Sequence, residues 1–343
     1  MVQIRFAGRR GRLARRLVRL VRVVLVVVCA WLLLRLLRGV DWSEVWYSLT
    51  HLAAWQVAVL LAAMLVRRFV LASPLAILIP GLRPRQAMVN DVAATAVATI
   101  APSPGDVLVR LAMLRSWQIE STHATTGLTL STLLYYVARL AGPAVGFLLF
   151  WASRTFYAPF AWTALLCGAA SAVLLGGLLY ALRAERTAAI IGRLLGRILS
   201  KVRPSTAGPE VWQERLVTFQ AHSAATLRRH WALTSAALGA VLAVEAGVLI
   251  LCMAFAGVPL GGSNLLLLLC AFLVVYPLTG LPLMGAGVIE ATYVTFVVGH
   301  STLEATALTA GLIVWRVAVQ FVPVLIGLLT LGAWRRLQVT RSG

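Results

Sequence analysis

Six stretches of this chain, roughly 18–37, 52–79, 125–150, 159–182, 232–256 and 305–332, are apolar over a length that can cross a bilayer. A helix needs about 20 such residues to span the hydrocarbon core. No other feature limits the fold as strongly. Lipid offers the backbone no hydrogen-bond partners, so a chain crosses it as helices or as a closed barrel. Runs of this length predict helices. The composition agrees, with 60% hydrophobic and 12% charged residues, against about 45–50% and 25% in soluble domains. That balance excludes an ordinary soluble enzyme, a disordered protein and a DNA-binding domain.

Two more apolar stretches are interrupted. The first, 88–114, is broken at Pro102-Ser103-Pro104-Gly105. The second, 264–299, is broken at Thr279-Gly280-Leu281-Pro282 and again at Gly285-Ala286-Gly287. Proline removes a backbone donor and glycine loosens a helix. Pro102, Pro104 and Gly105 in the first stretch, and Pro282, Gly285 and Gly287 in the second, are therefore the candidate turns. Irregular backbone at membrane depth survives only inside protein or beside a water-filled cavity.

Charge sets the orientation. The chain has 31 Lys and Arg against 11 Asp and Glu, a net +20, and cytoplasmic loops collect basic residues. Eight arginines lie between Arg5 and Arg22, nine basic residues lie in 183–230, and Arg335, Arg336 and Arg341 close the chain. All three regions are expected on the cytoplasmic side of a bacterial-type plasma membrane, with both termini. Segments 38–51 and 257–263 are expected outside, where Trp42, Trp46, Trp55, Trp151 and Trp162 serve as interfacial anchors. No small-x-small cleavage site follows the first apolar run, so a retained signal anchor fits better than a signal peptide. Parity then requires 88–114 to enter and leave from the cytoplasm, and 264–299 to enter and leave from outside.

The two broken regions align without gaps at an offset of 180 residues. Pro102 matches Pro282, Gly105 matches Gly285, Ser121-Thr122 matches Ser301-Thr302, and Pro143 matches Pro323. Thr126, Leu128 and Thr129 match Thr306, Leu308 and Thr309. Halves of opposite topology are the pattern of inverted-repeat transporters, which place a site at the repeat interface. The expected fold is thus an all-α polytopic membrane protein: about six spanning helices plus two opposed re-entrant helical hairpins in an inverted repeat. Its parts are a basic segment 1–22, a first repeat 23–182, a basic amphipathic loop 183–230, the rest of the second repeat 231–333, and a tail 334–343.

Charges inside such segments are costly and mark function. The candidates are Arg67, Arg68, Asp91, Asp106, Arg110, Arg139, Glu245, Glu290 and Arg316. Arg110 and Glu290 occupy the same repeat position and are expected to meet if the hairpin tips approach, either as a polar site for a headgroup or as a structural ion pair. Asp106 lies four residues before Arg110 and can cap a helix restarting after Gly105. Arg139 and Arg316 sit mid-span, facing a cavity or pairing with Asp91, Glu245 or Glu290. Arginine matches phosphate in a bidentate way. One of Arg67 and Arg68 is expected to snorkel toward the inner interface. In the loop, Ile190, Ile191, Leu194, Leu195, Ile198 and Leu199 share a helical face, which lies either on the anionic inner leaflet or against the bundle.

Cys29, Cys167, Cys252 and Cys270 lie in apolar runs without Cys-x-x-Cys spacing and read as buried residues. No zinc-protease, nucleophile-elbow or P-loop motif is present, so neither a metal nor a cofactor is expected.

Several of these residues resemble a known family. Pro102-Ser103-Pro104-Gly105-Asp106 with Arg110 looks like the first motif of the flippase-like transmembrane domain of lysylphosphatidylglycerol synthases. Leu281 through Glu290 resembles its second motif, a Pro-Gly-rich turn ending in Glu. Trp315-Arg316 with Pro323 is similar to its final Tyr-Arg helix, and Arg139 to the Arg of its third span. Around that Arg the family often carries Glu and Asp; here Ala138 and Gly142 stand there, so no local salt bridge is expected. The resemblance implies lipid translocation, with aminoacylated phosphatidylglycerol as the best-known cargo. The soluble aminoacyl-transferase of bifunctional members is expected to be lacking, and the chain is not expected to be an enzyme. The alternatives are an intramembrane lipid-phosphate enzyme and a non-catalytic partner of a cell-envelope glycosyltransferase or lipid synthase. Expected partners are membrane lipids, with a lipid-modifying enzyme or a second copy as further candidates, and no nucleic acid.

Overall fold

The computed structural model describes residues 53–100, 105–152, 158–183, 185–202, 208–281 and 285–342. The expected first span, 18–37, the basic N-terminal segment and the turn residues Pro102, Pro104 and Pro282 lie outside these. The described residues are helical almost throughout and contain no strand. The helices are α1 (Ala54–Leu78), α2 (Pro84–Ile100), α3 (Gly105–Ser116), α4 (Ser121–Ala152), α5 (Ala158–Arg183), α6 (Glu185–Val202), α7 (Pro209–Phe255), α8 (Ser263–Val275), α9 (Val288–Val298) and α10 (Ala305–Ser342). A 3₁₀ turn, Tyr276–Gly280, continues α8.

Five described segments are long and apolar enough to cross a membrane: Ala54–Leu78, Ser121–Leu149, Pro209–Phe255, Ser263–Gly280 and Ala305–Trp334. Four of these coincide with expected spans. The fifth was expected as one arm of a hairpin, yet α8 with its 3₁₀ turn reaches about 30 Å at their respective rises, the thickness of the hydrocarbon core. The expected span 159–182 forms α5, whose apolar stretch is Leu165–Tyr180. Large exposed side chains on these helices, such as Trp55, Leu61, Trp151, Leu166 and Leu329, suit a bundle surrounded by lipid.

The 180-residue repeat has a direct counterpart in the packing. Shifting α2 by 180 gives 264–280, the α8 segment with its 3₁₀ turn. Shifting α3 gives α9 within a few residues, and shifting α4 gives α10. The contacts between the halves are reciprocal: α4 packs against α8, and α10 packs against α2. Reciprocal contact is what a two-fold relation produces. Glycines permit both approaches. A Cβ on Gly142 of α4 would stand 2.9 Å from the Leu273 carbonyl of α8, and one on Gly327 of α10 would run into the Val92 carbonyl and Ala96 of α2. Helix α1 meets its counterpart in the 180-residue register directly, the C-terminal half of α7.

The turn between α8 and α9 shows why glycine recurs there. Gly285 and Gly287 have φ of +65° and +83°, in the region that side chains resist. A Cβ on Gly285 would also lie 2.5 Å from the Leu278 carbonyl.

The basic loop differs most from its expected form. Helix α7 runs unbroken through 47 residues, about 70 Å, and passes position 230 without interruption. Helix α6 packs antiparallel along its N-terminal part, with Gly192 backing onto Gln213 and Gly196 onto Pro209. The face toward α7 is thus made of Ala188, Gly192 and Gly196, while Ile190 and Leu194 stay exposed. Small residues let backbones approach closely.

Candidate functional site

The polar residues of the first half gather around one cavity of about 700 Å³, bounded by α1, α2, α3 and α4. Its lining includes Arg67, Arg68, Arg110 and Arg139 with Asp91 and Asp106, together with Thr95, Thr129, Ser131 and Thr132. Apolar residues such as Leu71, Leu75, Val107 and Leu133 complete the wall. The volume lies inside the range typical of small-ligand sites. A mixed wall of this kind fits a polar group that carries an apolar body.

The charges are arranged in layers. Arg67 on α1 donates to Glu245 on α7 in a bidentate pair, with Nη2–Oε1 at 2.7 Å and Nε–Oε2 at 3.1 Å. Both side chains are 3% exposed. Nearer the lumen, Asp91 on α2 receives two guanidiniums: Arg110 Nη2 at 2.9 Å and Arg68 Nη1 at 3.3 Å. Asn90 ties α2 to α3, donating from Nδ2 to the Arg110 carbonyl at 3.0 Å. The expected snorkelling of Arg67 or Arg68 does not occur, because each has a buried carboxylate within reach that offsets the cost of burial.

Arg139, on α4, is held in another way. Its guanidinium carbon lies 4.8 Å from the ring centroid of Tyr135, 5.7 Å from Tyr136 and 5.8 Å from Tyr276. No carboxylate pairs with it among the described residues, as the departures at Ala138 and Gly142 implied. Aromatic faces attract a cation without neutralising it. Four buried polar atoms of the lining lack hydrogen-bond partners among the described residues: Arg67 Nη1, Arg68 Nε, Arg139 Nε and Asp106 Oδ1. Asp106 sits in the first turn of α3, where the helix dipole favours an acid, but this oxygen makes no capping bond.

The second half carries the other pair. Glu290 on α9 accepts from Arg316 on α10 and from the Gly287 backbone N–H at 2.7 Å. Glu290 therefore closes the start of its own helix. The expected meeting of Arg110 with Glu290 does not take place. Each is paired within its own half, Arg110 with Asp91 and Glu290 with Arg316. Asp106, Arg110 and Arg139 come together in the cavity, whereas Glu290 and Arg316 are not among its lining residues.

The two halves differ in what they place at equivalent positions. Asp91, Thr95, Asp106 and Arg68 correspond to Ala271, Val275, Ala286 and Val248. The second half accordingly closes into the largest apolar core, with Phe272, Tyr293 and Trp315 fully buried, where the first half opens into the cavity. Arg67, Arg68 and Asp91 stand among the costly charges of the sequence but not among its candidate site residues, and the cavity takes in all three. The comparison of Asp91 with Ala271 was a signal that would have brought that residue in. No group of three or more His, Cys, Asp or Glu suited to a metal occurs among the described residues.

A helical bundle with several apolar membrane-length segments and a charged cavity between them defines a multi-pass membrane protein. The family model for the lysylphosphatidylglycerol synthase TM region matches residues 19–327, and the chain belongs to that family. No match was found among curated proteins or among solved structures.

Proposed function

We propose that this protein is a lipid flippase or transporter that takes the anionic headgroup of a membrane lipid into the α1–α4 cavity and passes it between leaflets. The observation that carries this reading is the cavity wall. Four guanidiniums face two carboxylates there, and three of those guanidiniums keep a buried N–H without an acceptor among the described residues. Buried donors of this kind are normally paired, and phosphate oxygens are acceptors that suit arginine geometry. Leu71, Leu75 and Val107 in the same wall suit the start of the acyl chains. In this reading the two hairpins insert from opposite faces of a bacterial-type plasma membrane, with the chain termini on the cytoplasmic side. The hydrogen bond that Trp334 Nε1 donates to Ser116 Oγ, at 3.1 Å, supports that arrangement, because it sets the C-terminal part of α10 beside the end of α3. The start of α10 lies about 45 Å away along the helix. The protein acts by moving lipid, not by catalysis.

Reconstitution into liposomes with fluorescent phosphatidylglycerol or phosphatidylcholine tests this. Faster exchange of the anionic lipid between leaflets is expected. If the purified protein neither moves nor binds any lipid, the reading is lost; release of phosphate from the lipid would replace it with an enzymatic one.

A further inference from the structure

Tyr276 belongs to the second half of the molecule, in the 3₁₀ turn after α8, and it is 2% exposed. Its hydroxyl lies 3.1 Å from that of Tyr135 on α4. Its ring packs at 5.5 Å against Phe272 in the apolar core of the second half. Arg139 of the cavity lies against the Tyr135 and Tyr276 rings together. The same turn approaches the guanidinium once more: a Cβ at Gly280 would stand 3.0 Å from Arg139 Nη1. The cavity arginine that has no carboxylate among the described residues is thus backed by the other half of the protein.

We propose that Tyr276 is a positioning residue that aims Arg139 at the bound headgroup, so that the turn of the second hairpin sets the anion affinity of the first half's cavity. This rests on the headgroup reading above. Arg67, Arg68 and Arg110 are oriented by carboxylates. Arg139 is oriented by ring faces, which hold its direction and leave its charge for an external anion. Because one of those rings is anchored in the second half, a shift of the 276–280 turn changes where the guanidinium points. The Tyr135–Tyr276 hydroxyl contact fixes the two rings relative to each other.

The test is binding of fluorescent phosphatidylglycerol to the purified chain in phosphatidylcholine nanodiscs. Arg139→Ala, Tyr276→Leu, Tyr276→Phe and the Arg139→Ala/Tyr276→Leu double variant are compared. We expect Tyr276→Leu to weaken binding by roughly 3- to 10-fold, the range of a partly desolvated cation–π contact. Tyr276→Phe keeps the ring and stays within about 2-fold of the wild type. The double variant binds no worse than Arg139→Ala alone, since coupled residues are non-additive. A loss in Arg139→Ala with none in Tyr276→Leu overturns the positioning role and leaves the headgroup reading standing. Full additivity also overturns it, because Tyr276 would then act independently of Arg139. No loss in Arg139→Ala overturns both. Should Tyr276→Leu fail to fold, Gly280→Ala presses on Nη1 from the same side. It is expected to weaken binding in the wild-type background but not in Arg139→Ala; unchanged wild-type binding would overturn the proposal.

Discussion

Arg67 and Glu245 form a bidentate ion pair across the seam of α1 and α7, with both side chains almost fully buried. In the 180-residue register, position 65 corresponds to 245 and 67 to 247, so the pair straddles the line about which the halves repeat. It is a charge contact between counterpart helices of the two halves.

Breaking this pair from one side is expected to be expensive. Glu245→Ala strands the Arg67 guanidinium and should cost about 3–5 kcal/mol, read as a large fall in the thermal unfolding midpoint in detergent. Replacing both residues by apolar ones of similar size, as in Arg67→Met/Glu245→Leu, should recover most of that loss. A single variant as stable as the wild type would contradict the buried pairing.

Arg110→Ala removes the shorter of the two contacts to Asp91 and a cavity guanidinium, while Arg68 still holds the carboxylate. The expected outcome is normal membrane insertion with lipid exchange slowed by about 10-fold or more, from the roughly 1.5–3 kcal/mol of a charged hydrogen bond. Exchange rates in proteoliposomes check this, and an unaltered rate would remove Arg110 from the path.

Glu290 has two tasks that substitution can separate. Glu290→Gln can still accept from the Gly287 N–H but gives up the ionic contact with Arg316. Glu290→Ala loses both. Stability should therefore fall in the order wild type, Gln, Ala, with the capping part contributing about 1 kcal/mol, measured by thermal unfolding of the three proteins side by side.

The reciprocal helix contacts depend on missing side chains. Gly327→Ala places a methyl group against the Val92 carbonyl and Ala96, and Gly142→Ala one against the Leu273 carbonyl. Each should destabilise by about 1–3 kcal/mol. Gly176→Ala and Gly239→Ala meet nothing within 4 Å and should be neutral or slightly stabilising. Equal effects at all four positions would argue against the packing.

Single cysteines at positions 120 and 302 test the opposed hairpins. Position 120 is expected to react with an impermeant thiol reagent from the cytoplasmic side and position 302 from the outer side. Labelling of both from one face would exclude the inverted arrangement.

The helices were legible because they rest on short-range and periodic information. Apolar run length gave α1, α4, α5 and α10, and matched prolines, glycines and Ser-Thr pairs gave the offset that reappears in the α4–α8 and α10–α2 contacts. For Arg139 only the lack of a local salt bridge was legible, from Ala138 and Gly142; whether it pairs with a distant carboxylate was not. Partner choice was not. Arg110 pairs with Asp91, 19 positions away, and Arg67 with Glu245, 178 positions away; nothing in hydropathy or spacing ranks these above Arg110 with Glu290. The continuity of α7 was hidden for a related reason. Its polar N-terminal half reads as a loop by hydropathy, although its residues favour helix once α6 covers them.

That uninterrupted helix has a mechanical consequence. Glu245 lies near the middle of the molecule, and Pro209, 36 residues earlier on the same rod, is about 54 Å away. No proline lies inside the helix to absorb bending, so a tilt at the ion pair would be carried along its length. A tilt of about 5° at Glu245 would swing the α6-bearing end through about 5 Å at that reach. Small rearrangements at the centre of the bundle are thereby magnified at its rim, where a label on α6 would report them.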